Sequence, residues 1–340
     1  MSLRRGVSLV VAVGALIAYG LSHVQAAPVA SPAIATTSTG STSLITEPEA
    51  GIQPIIDMIA NASSSVDLVM YQLEDTNVEQ ALATDASRGV AVHVLLNEGY
   101  YGKKENTKND AAYQFLSQHG VAVRWTPTYF ALTHEKSIVI DGREVVIMTL
   151  NLTPQYYASG REFAVTDQDQ ADASAAEAAF TNDWNATQSP APNGDSLIWS
   201  PGSENAMLSL INNAKSSLDI YNEEMADNQI TSALESAAQR GVTVRIDMTN
   251  SSEWKSAFTA LTQAGAQVRT YAANAPLYIH AKMILVDGSS AFVGSENFSS
   301  NSLQKNRELG IIISDPATAN ELEQTFTKDW SGATVFNSPS

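Results

Sequence analysis

His134-Glu135-Lys136-Ser137-Ile138-Val139-Ile140-Asp141-Gly142 returns 146 residues later as His280-Ala281-Lys282-Met283-Ile284-Leu285-Val286-Asp287-Gly288. Working outward at the same spacing, Asn151, Arg161, Glu162, Asp183 and Trp184 recur as Asn297, Arg307, Glu308, Asp329 and Trp330. Upstream the offset is 152: Ser64-Ser65-Val66-Asp67-Leu68 aligns with Ser216-Ser217-Leu218-Asp219-Ile220, and Arg88-Gly89-Val90 with Arg240-Gly241-Val242. So many identities held at constant spacing mark a duplicated unit, with one shorter loop in the second copy.

Each copy alternates helical and strand patterns. In the first, a helix is expected over about residues 50–62, a strand over Val66–Tyr71, and a helix over 77–88 stopped by Gly89. A strand over Val90–Leu96, a helix ending at Gly120 and a strand over Val121–Arg124 follow. Two β-rich runs then flank Asp141-Gly142, a dipeptide that signals a tight hairpin. A strand near Phe163–Val165 and an Ala-rich helix ending at Trp184 close the unit. The expected fold is α/β, two repeats, each a mixed sheet flanked by helices. Residues 48–188 are assigned to the first repeat and 189–340 to the second. The Pro- and Gly-bearing stretch Thr187–Ser200 is read as the joint.

On a strand, residues two apart share a face, so His134 and Lys136 project together, as do His280 and Lys282. An imidazole beside an ammonium is costly unless an anion sits between them, and a phosphate group would serve. A single His-x-Lys would read as an ordinary surface strand. Two at matched positions of a duplicated fold point to chemistry on a phosphodiester.

These residues resemble the paired HKD motifs of the phospholipase D superfamily, His-x-Lys-x4-Asp, in His134/Lys136/Asp141 and His280/Lys282/Asp287. Gly294-Ser295-Glu296-Asn297 is similar to the element that follows the second motif. The resemblance covers about residue 48 to Trp330. It implies two repeats packed about a pseudo-twofold axis with both motifs on one cleft. One histidine attacks phosphorus to give a phosphohistidine, the other protonates the leaving alcohol, and family precedent leans to His134 as nucleophile. It further implies that Glu162 and Glu308 each accept a bond from an imidazole nitrogen and fix its tautomer. An imidazole with a pKa of about 6.5 suits both roles. Lys136 and Lys282 can neutralise the non-bridging oxygens, and Asn151 and Asn297 can donate to them. Thr149 and Ser295, two residues before the asparagines, could add hydroxyl contacts. Asp141 and Asp287 sit in the Asp-Gly turns, and structure is expected to outweigh chemistry for both. His93 and His119 lack counterparts and read as structural, and Asp183-Trp184 and Asp329-Trp330 as core and cap. Met148 stands where the second copy has Gly294, which would narrow the first half of the cleft.

The chain of 340 residues carries a net charge of −17, and removing residues 1–26 takes two arginines and no acid, leaving about −19. Such a surface repels polyanions, so no specific nucleic-acid partner is expected. There is no cysteine, and the five histidines include no close pair suited to zinc. Neither a metal nor a cofactor is expected. Arg4-Arg5, the apolar run Val7–Leu21 and Val24-Gln25-Ala26 read as a signal peptide over residues 1–26, and hence a secreted or periplasmic protein. The rival reading is an uncleaved anchor. Residues 27–47, rich in Ala, Ser, Thr and Pro, read as a flexible linker. Export, acidity and aromatics near the motifs (Trp125, Tyr129, Phe130, Tyr156, Tyr157, Tyr271, Tyr278) favour lipid. The expectation is a monomeric phospholipase D that meets a membrane or micelle surface transiently. It would hydrolyse a phosphatidylcholine-like lipid to phosphatidic acid, with transfer to alcohols as a second outcome. The alternatives are a secreted metal-independent endonuclease, and a binding protein that has lost catalysis.

Overall fold

Asp141 and Gly142 both take positive φ, 54° and 63°, and Asp287 and Gly288 repeat this at 52° and 64°. Positive φ at both central residues is what a type I′ hairpin turn demands, and the Asp-Gly pair supplies it at low steric cost. The turns join Lys136–Ile140 to Glu144–Met148 and Lys282–Val286 to Ser290–Gly294, both antiparallel. The computed structural model describes residues 42–99 and 108–337. The leader expected over residues 1–26 and most of the expected linker lie outside that range.

Numbered along the chain, the strands are β1 (Thr42–Glu47), β2 (Ser65–Met70), β3 (Ala91–Leu96), β4 (Ala122–Trp125), β5 (Lys136–Ile140), β6 (Glu144–Met148) and β7 (Gly160–Asp167). The second series is β8 (Leu197–Ser200), β9 (Ser217–Tyr221), β10 (Thr243–Thr249), β11 (Gln267–Tyr271), β12 (Tyr278–Ile279), β13 (Lys282–Val286), β14 (Ser290–Gly294), β15 (Glu308–Ile313) and β16 (Thr334–Val335). One sheet runs β1-β7-β6-β5-β2-β3-β4 and the other β16-β11-β10-β9-β13-β14-β15-β8. In each, three strands are parallel (β2, β3, β4; β9, β10, β11) and the hairpin side is antiparallel. The two mixed sheets are the α/β duplication expected.

The helices are α1 (Gln53–Ala60), α2 (Thr76–Ser87), α3 (Asp110–Gln118), α4 (Gln170–Trp184), α5 (Glu204–Asn213), α6 (Asn228–Gln239), α7 (Lys255–Gln263), α8 (Ser300–Gln304) and α9 (Pro316–Gly332). Asp75 and Asp227 accept backbone N–H bonds at the starts of α2 and α6, the usual aspartate N-cap. Strand alternation divides the core. Ile138, Ile140 and Val146 pack with α1–α3 on the outer face of the first sheet. Val139, Val145 and Ile147 turn inward to a central core shared with Met283, Leu285, Val293 and Ile311, closed by α4 and α9. The outer face of the second sheet packs with α5–α7.

Two boundaries differ from expectation. The tract read as linker to residue 47 ends in β1, which pairs with β7 from Thr42↔Asp167 to Glu47↔Glu162. The joint read to Ser200 likewise ends in β8, which pairs with β15 and sets Ser200 opposite Glu308. Each repeat thus opens with an edge strand beside its own glutamate. Both are short and adjoin Ser/Thr/Pro/Gly-bearing tracts, and each has a single antiparallel partner far along the chain.

The histidines also depart from expectation, since both precede their hairpin strands. They lie on segments that cross to the other repeat. Thr133 bridges Arg307, and β12 pairs in parallel with β7 at Tyr278↔Gly160 and Ile279↔Arg161. The N–H groups of His134 and Glu135 donate to Arg307 O at 2.8 and 2.9 Å, and that of Ala281 to Arg161 O at 2.9 Å. The arginines then tie each crossing to a helix end. Arg161 Nε donates to Asp329 on α9 at 2.5 Å, and Arg307 Nε to Asp183 on α4 at 2.7 Å. Arg161 also bonds Glu49 and the carbonyl of Glu47. Asp183 and Asp329 therefore link the repeats rather than merely capping helices.

Removing one member of a buried ion pair leaves an uncompensated charge, at a cost of about 3–5 kcal/mol. Arg307 also faces Glu135 at 3.5 Å, so Arg307→Met is expected to lower the stability read by urea unfolding by at least that amount. Adding Asp183→Leu should restore part of the loss.

Candidate active site

His134 and His280 line one cavity of about 850 Å³, with Asn151, Asn297, Glu162, Glu223, Glu224, Tyr156, Tyr157 and Tyr278 among its walls. The crossing segments bring the histidines there, and the glutamates come from β7 and β15. His134 Nδ1 stands 2.8 Å from Glu308 Oε2, and His280 Nδ1 2.5 Å from Glu162 Oε1. The orienting carboxylates are thus exchanged: each histidine is held by the glutamate of the other repeat, which equal spacing in the sequence could not reveal. Nδ1–H donated to a carboxylate fixes the tautomer and leaves Nε2 for chemistry.

Both carboxylates are fully engaged. Thr149 Oγ1 donates to Glu162 Oε2 at 2.5 Å, while Ser302 Oγ and Asn306 Nδ2 donate to Glu308 Oε1 at 2.6 and 3.0 Å. Burial would raise both pKa values, but the facing imidazoles outweigh it and hold both carboxyls below the ordinary range.

The lysines are buried and do not themselves form the cavity wall. Each Nζ donates at 2.6 Å to the carbonyl of its own histidine, and Lys136 stands 5.1 Å over the ring of Tyr71. Burial pulls Lys136 down to about 7, despite Glu308 nearby. An anion brought beside it would restore its full charge. Asn151 and Asn297 face the cavity, and their amide oxygens have no protein partner among the described residues.

Four other readings of the sequence change. Thr149 and Ser295 lie outside the cavity wall, fully buried. The Thr149 hydroxyl is spent on Glu162, and Ser295 Oγ accepts the Leu309 N–H at 3.2 Å. Met148 does not narrow the cleft, because it belongs to the outer core of the first sheet. Its counterpart Gly294 is required by crowding: a Cβ there would lie 2.5 Å from Gly310 Cα and from Glu296 Oε2. Of the aromatics, Tyr156, Tyr157 and Tyr278 line the cavity. Trp125 stacks on Tyr113, Phe130 lies under Arg307, Tyr129 bonds Asp183, and Tyr271 bonds the Asp329 carbonyl.

The motif aspartates are structural, as expected. Asp141 accepts from the N–H groups of Ser63, Ser64 and Ser65 and from two serine hydroxyls. Asp287 accepts from the N–H groups of Lys215, Ser216 and Ser217 and from the Ser216 hydroxyl. Each pins the hairpin turn to the start of the strand beside it. His93 pairs with Asp67, and His119 bonds its own helix.

Glu223 was missed. Its Oε2 lies 3.2 Å from both His280 Nε2 and Lys282 Nζ, and Tyr278 Oη donates to its Oε1 at 3.0 Å. The available signal was a mismatch: at the 152 offset Glu223 replaces Tyr71, whose ring meets that of His134 edge-on at 4.6 Å.

Two imidazoles on one cavity, each held at Nδ1 by a carboxylate and backed by a buried ammonium, define a phosphoryl-transfer site. A family model described as "Cardiolipin synthase, PLD-like domain" matches residues 55–184 and 207–330. The chain belongs to the phospholipase D superfamily, and it is a phosphodiesterase of that kind. It is 23% identical over 350 residues to cardiolipin synthase 1 of Bacillus cereus, covering 86% of this chain and 67% of that one. Over 158 residues it is 32% identical to phospholipase D Z of Dictyostelium discoideum, covering 40% and 37%. Among solved structures, phosphatidylserine synthase of Haemophilus influenzae superposes with a TM-score of 0.68 at 12% identity, covering 87% of each chain, a likeness of fold.

Asp287 supplies a test of its structural role. Burial alone would raise its pKa, but the N–H groups of Ser217, Ser216 and Lys215 prevail and hold it at about 2, below the ordinary 3.8. A depressed folded pKa means stability present above about pH 4 and lost as pH falls towards 2. Asp287→Ala is expected to lose about 1–3 kcal/mol at neutral pH and that acid dependence, leaving the pH–rate profile unchanged.

Proposed function

We propose that the chain transfers the phosphatidyl group of a glycerophospholipid through a phosphohistidine, to water as a phospholipase D and to alcohols in transphosphatidylation. The observation that carries this is the exchanged pair, two imidazoles on one cavity, each held at Nδ1 by the glutamate of the other repeat. The relatives named cardiolipin synthase and phosphatidylserine synthase, together with the acidic and aromatic wall of the cavity, support a lipid over a polyanion. A phosphatidylcholine-like donor, and action outside the cytoplasm, belong to the same proposal.

His134 Nε2 attacks phosphorus as the bond to the leaving oxygen breaks, and His280 Nε2–H passes its proton to that oxygen. In the second half, water or an alcohol gives its proton to the now neutral His280, its oxygen bonds phosphorus, and the N–P bond breaks. The lysines and asparagines serve the non-bridging oxygens. The environments divide the labour. Burial lowers the pKa of His134 more than Glu308 raises it, which favours the neutral nucleophile. Burial also opposes charge on His280, but Glu162 and Glu223 together raise its pKa.

Given phosphatidylcholine vesicles, ethanol and chelator, the chain should yield phosphatidylethanol. His134→Ala and His280→Ala should each lose about 10²–10⁴-fold or more. Plasmid nicking in chelator with no lipid turnover would overturn the lipid reading. The nucleophile must be deprotonated and the acid protonated, so kcat/KM should rise through the His134 pKa below about 6.5 and fall through the His280 pKa above it.

A further inference from the structure

The two half-sites are copies, yet the residue at the aligned position beside each imidazole differs between them. In the first repeat Tyr71 lies edge-on to His134, with Lys136 Nζ 5.1 Å from its ring centroid. In the second, the aligned residue is Glu223, whose Oε2 spans His280 Nε2 and Lys282 Nζ at 3.2 Å each. Leu132 and Tyr278 differ in the same sense, as they also occupy equivalent positions, and only Tyr278 carries a hydroxyl to hold that carboxylate. Among the described residues His134 has one carboxylate partner, Glu308, whereas His280 has two, on opposite ring nitrogens.

We propose that Glu223 is a positioning residue that breaks the twofold equivalence of the site, holding His280 as imidazolium and so assigning it the acid role. This rests on the two-histidine reading of the site. An imidazole between two carboxylates can donate from both nitrogens only when it carries both protons. The groups facing His280 are Glu162 on β7, Glu223 beyond β9, Lys282 on β13 and the ring of Tyr278 on β12, stacked at 6.1 Å. Two negative charges stand against one positive, so the balance favours the proton.

The contact also prepares the exchange of anions. A phosphodiester entering the cavity brings its negative charge to the two atoms that Glu223 Oε2 touches. As it displaces the carboxylate from Nε2, its own charge takes over the pairing with His280 and Lys282. The imidazolium therefore keeps its proton through binding, and gives it up only when the leaving oxygen gains charge. No equivalent carboxylate from the first repeat is seen at His134 among the described residues, and His134 stays in the neutral form a nucleophile needs.

The test is the ring titration of His280 in the free, full-length protein labelled with ¹⁵N-histidine, its signal identified by its loss in His280→Gln. Glu223→Gln and Glu223→Tyr, the second restoring the residue of the other repeat, should each lower the His280 midpoint by about one pH unit or more. The His134 midpoint should move less, since Glu223 contacts His280 directly and reaches His134 only through space. The alkaline limb of the pH–rate profile should fall by the same amount. An unmoved His280 midpoint in a variant that retains the native melting transition would overturn the proposal. Because the titration needs no substrate, failure to turn over lipid would count against the proposed function alone.

Discussion

Each imidazole in this protein is held at Nδ1 by a carboxylate that the other repeat supplies, and much of the architecture serves that exchange. A carboxylate must be ionised, buried and aimed to fix a tautomer, and burial alone would protonate it. Here the opposing imidazole keeps it charged, while Thr149, Ser302 and Asn306 satisfy its remaining oxygen. The crossing segments that carry His134 and His280 into the partner repeat are in turn fastened by main-chain bonds to Arg307 and Arg161. The next residue after each arginine is the glutamate itself. One dipeptide therefore receives the crossing strand, anchors a helix end through Asp183 or Asp329, and orients the histidine.

The duplication, the α/β class and the hairpins were legible because they depend on local rules that repeat: strand alternation, helix caps, and the Asp-Gly turn. The structural role of Asp141 and Asp287 followed from the same turn chemistry. The pairing of Glu162 with His280 was not legible, because equal spacing within each copy is satisfied equally well by contacts within a repeat or between repeats. Only the long-range pairing of β12 with β7 decides it. Strands β1 and β8 were hidden for a related reason, being edge strands whose partners are 117 and 114 residues away in the registers Thr46↔Phe163 and Leu197↔Ile311, respectively. Thr149 and Ser295 were placed near the chemistry by proximity in sequence to Asn151 and Asn297. Both lie just past the ends of β6 and β14, fully buried, and their hydroxyls support the scaffold.

The electrostatic cost of the site is met locally. Both lysines are without exposed surface, and burial pulls the pKa of Lys136 down. Their Nζ atoms rest on the histidine carbonyls, so the ammonium and the reactive ring move as one assembly. A site built this way is preorganised for a negative charge between the histidines and need reorient little when charge develops there.

Joining the two repeats in one chain has a consequence for symmetry. Two identical subunits sharing a site of this design would be obliged to carry every residue twice, so a tyrosine beside one histidine would mean a tyrosine beside the other. Tandem copies are freed from that rule: Tyr71 and Glu223 can differ while the scaffold of crossings, arginines and orienting glutamates stays matched. Covalent linkage thereby lets the surroundings of two matched imidazoles differ within one site.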